Sequence, residues 1–383
     1  MAEQKRKNGW LWFSCIAFLL IAALYSAVSI TTANEIPHIL EYSRSRLSAG
    51  ITFSYVEKMP GATYGENLAL CSEMDPQTVG DLGEIKPVLV NQYYFDVYNI
   101  HVGGSAVTEE HITKKIPAVV ISDKAAFRMS PDADVVGRTV TLYDREFTIV
   151  GIYRKPDGFL REVSSDVYDR VYIPYTCYDG WQEVSVDTLA SPKGTYYAKA
   201  IRLLGLTGSD TGFYLENDLA VKQEMIANFT DFFIAVIAVI LAILALRIIA
   251  SLIRASHRRL REEYQALYLS ALLRKEWLFL LSRVLIITAL IAVPVILLIL
   301  FPPKLVLPLN YIPYDNIFEL KHYLNTFIEQ MQLTNAELAV GNGYYARLSF
   351  HVIILLSLLF LLLIPLFLSI ITRLRAMIRS KKA

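Results

Sequence analysis

The stretch Asn91–Lys155, NQYYFDVYNIHVGGSAVTEEHITKKIPAVVISDKAAFRMSPDADVVGRTVTLYDREFTIVGIYRK, decides how the rest of the 383-residue chain is read. Short β-branched runs alternate in it with turn residues. Pro117-Ala118-Val119-Val120-Ile121 reads as a buried strand. Ser122-Asp123 then supplies an N-cap, which predicts a short helix through Met129. Pro131 to Gly137 reads as a turn. Thr139–Leu142 and Phe147–Tyr153 alternate apolar and polar residues around the polar tip Tyr143-Asp144-Arg145-Glu146, the pattern of a β-hairpin. The stretch belongs to a folded domain of mixed α and β structure with short strands.

The sequence on either side of that domain is of another kind. Hydrophobic residues make up 54% of the chain, charged residues only 19%, and the mean hydropathy is +0.39. Soluble domains carry about 25% charge, so the surplus of apolar residues belongs to a bilayer. Crossing the hydrocarbon core takes about 20 mostly apolar residues, and four segments qualify: 10–32, 229–253, 277–301 and 348–372. Segment 10–32 follows Lys5, Arg6 and Lys7 and is followed by Thr31-Thr32-Ala33, as a signal peptide would be. Its apolar run exceeds the roughly 7–15 residues of a signal h-region, so it reads as a retained anchor. The predicted fold class is an α-helical membrane protein with four transmembrane helices and a mixed α+β extracytoplasmic domain at 33–228.

Lys and Arg in short flanking segments set the orientation. Fifteen of them lie in the tail 1–9, the segment Arg254–Arg283 and the tail 373–383. The loop 302–347 holds only Lys304, Lys321 and Arg347. Both tails and the connection 254–276 are therefore expected in the cytoplasm. Residues 33–228 and 302–347 are expected outside. The outer domain carries 18 Lys and Arg against 27 Asp and Glu. That acidic balance, with a net charge of +1 for the whole chain, argues against nucleic acid as a partner.

No catalytic motif emerges. The chain has no Gly-x-Ser-x-Gly elbow and no His-Glu-x-x-His helix. His38, His101 and His111 are far apart and read as surface residues, and Glu109-Glu110 and Asp132/Asp134 read as solvated turns. Three cysteines exclude a disulfide scaffold; for Cys71 and Cys177 a bridge and two separate thiols both stay open. The segment Arg254–Arg283, RASHRRLREEYQALYLSALLRKEWLFLLSR, places Leu260, Tyr264, Leu267, Tyr268 and Ala271 at helical spacing. It predicts a short amphipathic helix, either lying in the headgroups or docking a cytoplasmic partner. No Gly-x-x-x-x-Gly-Lys-Ser/Thr run occurs, so energy from nucleotide must come from another chain.

Taken in order, these parts resemble the MacB/FtsX/LolC–LolE superfamily of ABC transporter permeases. The resemblance rests on Tyr94-Phe95-Asp96-Val97, Thr108-Glu109-Glu110, Val119-Val120-Ile121-Ser122, Val136-Gly137-Arg138-Thr139, Phe147-Thr148-Ile149-Val150-Gly151 and Val171-Tyr172-Ile173-Pro174. The order of one helix, a large domain and three helices agrees, as does the basic run Arg258–Leu267. Two features depart from the family pattern. The run Leu267-Tyr268-Leu269-Ser270-Ala271 lacks the family's glycine, and the loop 302–347 is longer, with an amphipathic stretch from Asn316 to Leu333 suited to covering the large domain or a partner.

The resemblance implies a MacB-like core domain and a non-catalytic permease subunit of a bacterial inner or plasma membrane, with no cofactor of its own. ATP and Mg are expected on a separate ABC ATPase, and a second permease copy or paralogue completes a dimer. An extracytoplasmic adaptor or hydrolase is a further expected partner. Arg258, Arg259, Glu262, Glu263, Leu267 and Tyr268 are the expected ATPase-docking residues. Two alternatives stand beside export or extraction: an FtsX-like regulator of a cell-wall hydrolase, and a membrane-anchored sensor or scaffold that needs no ATPase.

Overall fold

The computed structural model describes residues 2–43, 52–57, 67–131, 134–155, 157–178, 184–195, 215–264, 269–302, 304, 312–313, 316, 318–337 and 343–380. The chain divides into two compact units. One comprises Met1–Ser29, Met225–Val306 and Leu356–Ala383, and the other Ile30–Glu224 and Leu307–Leu355.

The first unit is helical. It holds most of α1 (Ala2–Glu35), α7 (Leu219–Tyr264), α8 (Leu269–Leu300) and α10 (Tyr344–Ser380). Each of these carries a stretch long and apolar enough to cross a membrane: Phe13–Glu35, Leu219–Arg261, Glu276–Leu300 and Tyr344–Arg373. Apolar side chains do not drive helices together inside lipid, so packing and polar contacts must hold them. Phe18 lies 6.3 Å from Phe233 and 5.6 Å from Phe367, centroid to centroid. The Tyr25 hydroxyl donates to the Phe229 carbonyl at 2.9 Å, and Ser29 Oγ to that of Ile226 at 2.6 Å. The expected short amphipathic helix is not separate: Arg254 to Tyr264 continue α7 without a break.

The second unit is built on a mixed sheet. Its strands are β1 (Ile39–Ser43), β2 (Ala69–Glu73), β3 (Gln77–Val79), β4 (Gly83–Val90), β5 (Val102–Gly104), β6 (Ala118–Ser122), β7 (Thr139–Leu142), β8 (Arg145–Tyr153), β9 (Asp169–Pro174), β10 (Thr188–Pro192) and β11 (Leu215–Asp218). They run in the order β11-β1-β10-β2-β4-β9-β6-β8-β5, with β3 beside β4 and β7 beside β8. Pairs β4–β9 and β6–β8 are parallel; the other pairs are antiparallel. Leu70, Leu89, Val119, Ile121, Ile149, Val171, Ile173 and Leu189 form the core with Phe53 and Phe147. The small helices are α2 (Phe53–Glu57), α3 (Tyr94–Val97), α4 (Glu109–Thr113), α5 (Asp123–Met129) and α6 (Phe159–Ser164), and α9 (Leu320–Glu337) is longer.

The local expectations from the sequence hold in this unit. Val119 to Ser122 lie in the fully buried β6, and Ser122 Oγ accepts from the Ala125 amide at 3.0 Å, capping α5. The β7–β8 hairpin forms with a tighter tip than expected. Leu142 pairs with Arg145, leaving only Tyr143 and Asp144 in the turn, at φ 50° and 58°. Two successive left-handed residues make the turn whose twist matches that of the strands. His111 is a capping residue: its Nδ1 accepts from the Thr108 amide at 3.0 Å. Cys71 and Cys177 are both buried thiols with no bridge between them.

Two of the helices able to cross a membrane are continuous with the edge of this sheet. Only Ile36, Pro37 and His38 separate α1 from β1, and β11 passes directly into α7, where Asp218 Oδ1 caps the Val221 amide at 3.0 Å. Strands β1 and β11 are antiparallel partners from Leu40↔Asp218 to Ser43↔Leu215.

Candidate functional site

Four of the residues expected to dock an ATPase, Arg258, Arg259, Glu262 and Glu263, fall at the end of α7. Arg258 is exposed. Arg259 reaches across to α8, where its Nη2 meets Glu276 Oε2 at 3.0 Å, and its guanidinium sits 4.3 Å above the Phe279 ring. Arg283 takes the same ring at 4.9 Å. Glu276 is buried, so Arg259 balances a desolvated carboxylate and joins the two helices. Cation–π contacts of this kind add about 0.5–2 kcal/mol each. Glu262 and Glu263 lie on the last turns of α7; Leu267 and Tyr268 lie outside the described residues.

A second constellation, missed by the sequence reading, lies in the sheet unit, where the ends of α1 and α10 meet the domain. Glu35, the last residue of α1, is held by Arg161 of α6 at 2.7 Å and by the Tyr344 hydroxyl at 2.8 Å. Arg347, in the first turn of α10 and 3% exposed, donates to Asp166 Oδ1 at 2.9 Å. Asp166 also takes Arg170, which in turn meets Glu73 Oε1 at 2.8 Å, and Lys86 completes that pair. Close by, Asp169 binds both Arg128 and Lys155. Ser164 Oγ and His351 Nδ1 are 2.9 Å apart.

These charges sit largely out of water, where an unmatched ion is costly, and each carboxylate here has a cation. Burial pushes the Asp166 carboxyl up, but the guanidinium groups of Arg170 and Arg347 outweigh it and hold the group below the usual carboxylate range. Asp169 behaves alike, its burial outweighed by Lys155 and Arg128. Both stay ionised at neutral pH. The lattice works as a clamp that fastens the α1 and α10 ends to α6 and β9.

Beside the clamp is a cavity of about 290 Å³ lined by Tyr94, Tyr98, Tyr153, Tyr172, Tyr344 and Tyr345, among others. The rings interlock: Tyr94 lies 4.7 Å from Tyr98 and 5.3 Å from Tyr172, and Tyr98 stacks on Tyr345 at 6.1 Å. Their hydroxyls turn into the wall, Tyr98 to Glu41 Oε1 at 2.8 Å and Tyr153 to the Arg170 carbonyl at 3.1 Å. Burial pushes Tyr94, Tyr98 and Tyr153 well up, so they remain neutral donors. Among the described residues no group of three His, Cys, Asp or Glu side chains is placed to hold a metal ion.

Parts of this site were visible in the sequence without being recognised. Tyr94-Phe95-Asp96-Val97 is α3, and its two rings form one side of the aromatic cluster. Glu35 and Arg347 each stand next to an apolar run, the one available signal of a charge posted at a helix end.

Comparison with known proteins bears on the same unit. No curated protein matches the chain. The solved structures it is similar to include the periplasmic region of MacB from Actinobacillus actinomycetemcomitans, at 14% identity and TM-score 0.37, covering 49% of this chain and 92% of that one. Another is the extracellular domain of the noncanonic ABC-type transporter YknZ from Gram-positive bacteria, at 14% identity and TM-score 0.34, covering 46% and 98%. A permease-protein domain from Porphyromonas gingivalis aligns at 15% identity and TM-score 0.31, covering 48% and 91%. The family model of the MacB-like periplasmic core domain matches residues 17–201. The chain therefore carries a MacB-like periplasmic core domain together with four helices long and apolar enough to cross a membrane.

Proposed function

We propose that this chain is the membrane-spanning subunit of an ABC-type machine in which a separate ATPase drives motion of the sheet domain, for export or extraction of a substrate. In this reading both tails and the connection 254–276 face the cytoplasm, and the sheet domain faces outward. The observation that carries it is the MacB-like core domain grown directly from membrane helices through the paired strands β1 and β11. A displacement of α1 against α7 would shear a strand pair held by backbone hydrogen bonds, and the Asp166–Arg347 clamp would bring α10 into the same movement. Stiff helices and a hydrogen-bonded sheet deform little, so the displacement passes into the domain instead of being absorbed on the way.

In the same reading the exposed Arg258 and the glutamates Glu262 and Glu263 offer charge to the ATPase, while Arg259 holds α7 to α8. The test is co-purification of the full chain with the ABC ATPase encoded beside it. Arg258→Glu together with Glu263→Arg should weaken the complex at least several-fold and lower ATP turnover in it. Unchanged association would overturn the docking assignment, and absence of any ATPase partner would overturn the permease reading itself.

A further inference from the structure

Among the described residues, two apolar faces of the sheet unit are exposed. On α9, Leu320, Leu324, Phe327, Ile328 and Met331 recur at helical spacing and are all exposed, Leu320 at 76%. A different face, with Thr326, is buried. A third carries the exposed polar residues Lys321, Asn325 and Glu329. Among the described residues the helix therefore shows a buried side, a polar face and an apolar face that stays exposed. On α6, Phe159 and Val163 stand one turn apart at 79% and 51% exposure, and Val167 just beyond is 91% exposed.

Both faces sit at one level of a helix able to cross a membrane. Ser164 of α6 meets His351 of α10, and Phe327 of α9 stacks on Phe350, the neighbouring residue, at 5.9 Å. Asp166 and Arg161 tie the α6 segment to Arg347 and Glu35, where the polar ends of α10 and α1 give way to apolar runs. Residues 348–368 of α10 contain few polar side chains. In a bilayer crossed by α10, two apolar faces fixed beside the start of such a run would meet the layer where water gives way to acyl chains.

We propose that the apolar faces of α6 and α9 rest in the interfacial layer of the bilayer, as a footing for the sheet domain separate from its spanning helices. The contact is apolar in origin. Residues 33–228 carry nine more acidic than basic groups, and α9 has one lysine against two glutamates, so anionic headgroups do not attract this surface and burial of apolar area must hold it. The inference stands apart from the permease reading. It needs only that α1 and α10 cross a bilayer, and it is tested with no ATPase present.

The full chain, with Cys15→Ser, is reconstituted in nanodiscs of phosphatidylcholine and phosphatidylglycerol and spin-labelled at single introduced cysteines. Val163→Cys, Leu324→Cys and Ile328→Cys probe the apolar faces; Glu162→Cys, Asn325→Cys and Glu329→Cys probe the polar ones. Cys71 and Cys177 are 1% and 2% exposed, so uptake of one label per chain verifies that the domain is folded. Lipid-soluble oxygen should relax the first three labels several-fold more than a water-soluble nickel chelate does, and the order should reverse at the other three. Dominance of nickel at all six positions would overturn the proposal. So would exclusion of both reagents from the first three, because a protein partner or second copy would then cover the faces. If a cysteine variant takes up extra label, Phe327→Trp replaces it. Quenching of its added emission by brominated lipid is the expected result, and absence of quenching counts against the footing.

Discussion

Replacing Asp166 by Asn leaves Arg347 ionised and 3% exposed with its carboxylate gone. It also removes one of the two carboxylates that hold Arg170. Breaking a buried ion pair on one side costs about 3–5 kcal/mol, since the surviving charge stays desolvated. For a unit of this size each kcal/mol lowers the melting temperature by about 2–4 °C, which together gives a fall of roughly 6–20 °C. The buried thiols Cys71 and Cys177 provide the assay: in a Cys15→Ser background, a thiol-reactive fluorophore reports their exposure as the reconstituted chain is heated. Arg347→Met should cost a similar amount by stranding Asp166 beside Arg170 alone. The double variant should cost less than the two singles summed, because residues in one network do not act independently. A shift below about 2 °C for Asp166→Asn, or strict additivity, would refute the clamp.

Two further outcomes follow from the same unit. A methyl group at Gly151 of β8 would collide with the Ser105 carbonyl oxygen and with Val102 Cγ1, so Gly151→Ala should destabilise the domain by about 1–3 kcal/mol as overpacking does. At Gly103 a methyl group meets only the Ile152 carbonyl at 3.6 Å, and Gly103→Ala should leave the thiol-exposure midpoint nearly unmoved. Asp166 and Asp169 both have folded pKa values below their unfolded ones. Their contribution is complete above the unfolded value of about 3.9 and is lost as pH falls through the lowered folded values. Thermal midpoints should therefore drop steeply below about pH 4, and this drop should shrink in Asp166→Asn.

Features set by a few neighbouring residues were legible in the sequence. Ser122 as an N-cap, the β7–β8 hairpin and the four apolar helices all depend on contacts within one or two turns, and their residue types announce them. The hairpin tip was misjudged by two residues, because Arg145 and Glu146 are polar but pair within the strand. The clamp was not legible for a different reason. Arg161 meets Glu35 across 126 positions and Arg347 meets Asp166 across 181, and no local pattern in one sequence records which carboxylate a distant guanidinium will find. The basic segment after the second span shows an intermediate case. Its helical spacing agrees with a helix as far as Tyr264, but the periodicity that marks a helix does not say where the helix starts, and α7 runs into the segment unbroken from before Arg254.

The antiparallel pairing of β1 with β11 gives the outer module adjoining first and last strands. A module closed in this way resembles a cassette: cutting between His38 and Ile39 and between Asp218 and Leu219 frees both ends from neighbouring rungs of one ladder. Excision of the cassette leaves a gap that a short linker can bridge, and a foreign sheet with similarly adjacent ends can be set in its place. Chimaeras made at these two junctions would exchange the sheet domain while the long apolar helices keep their own sequence.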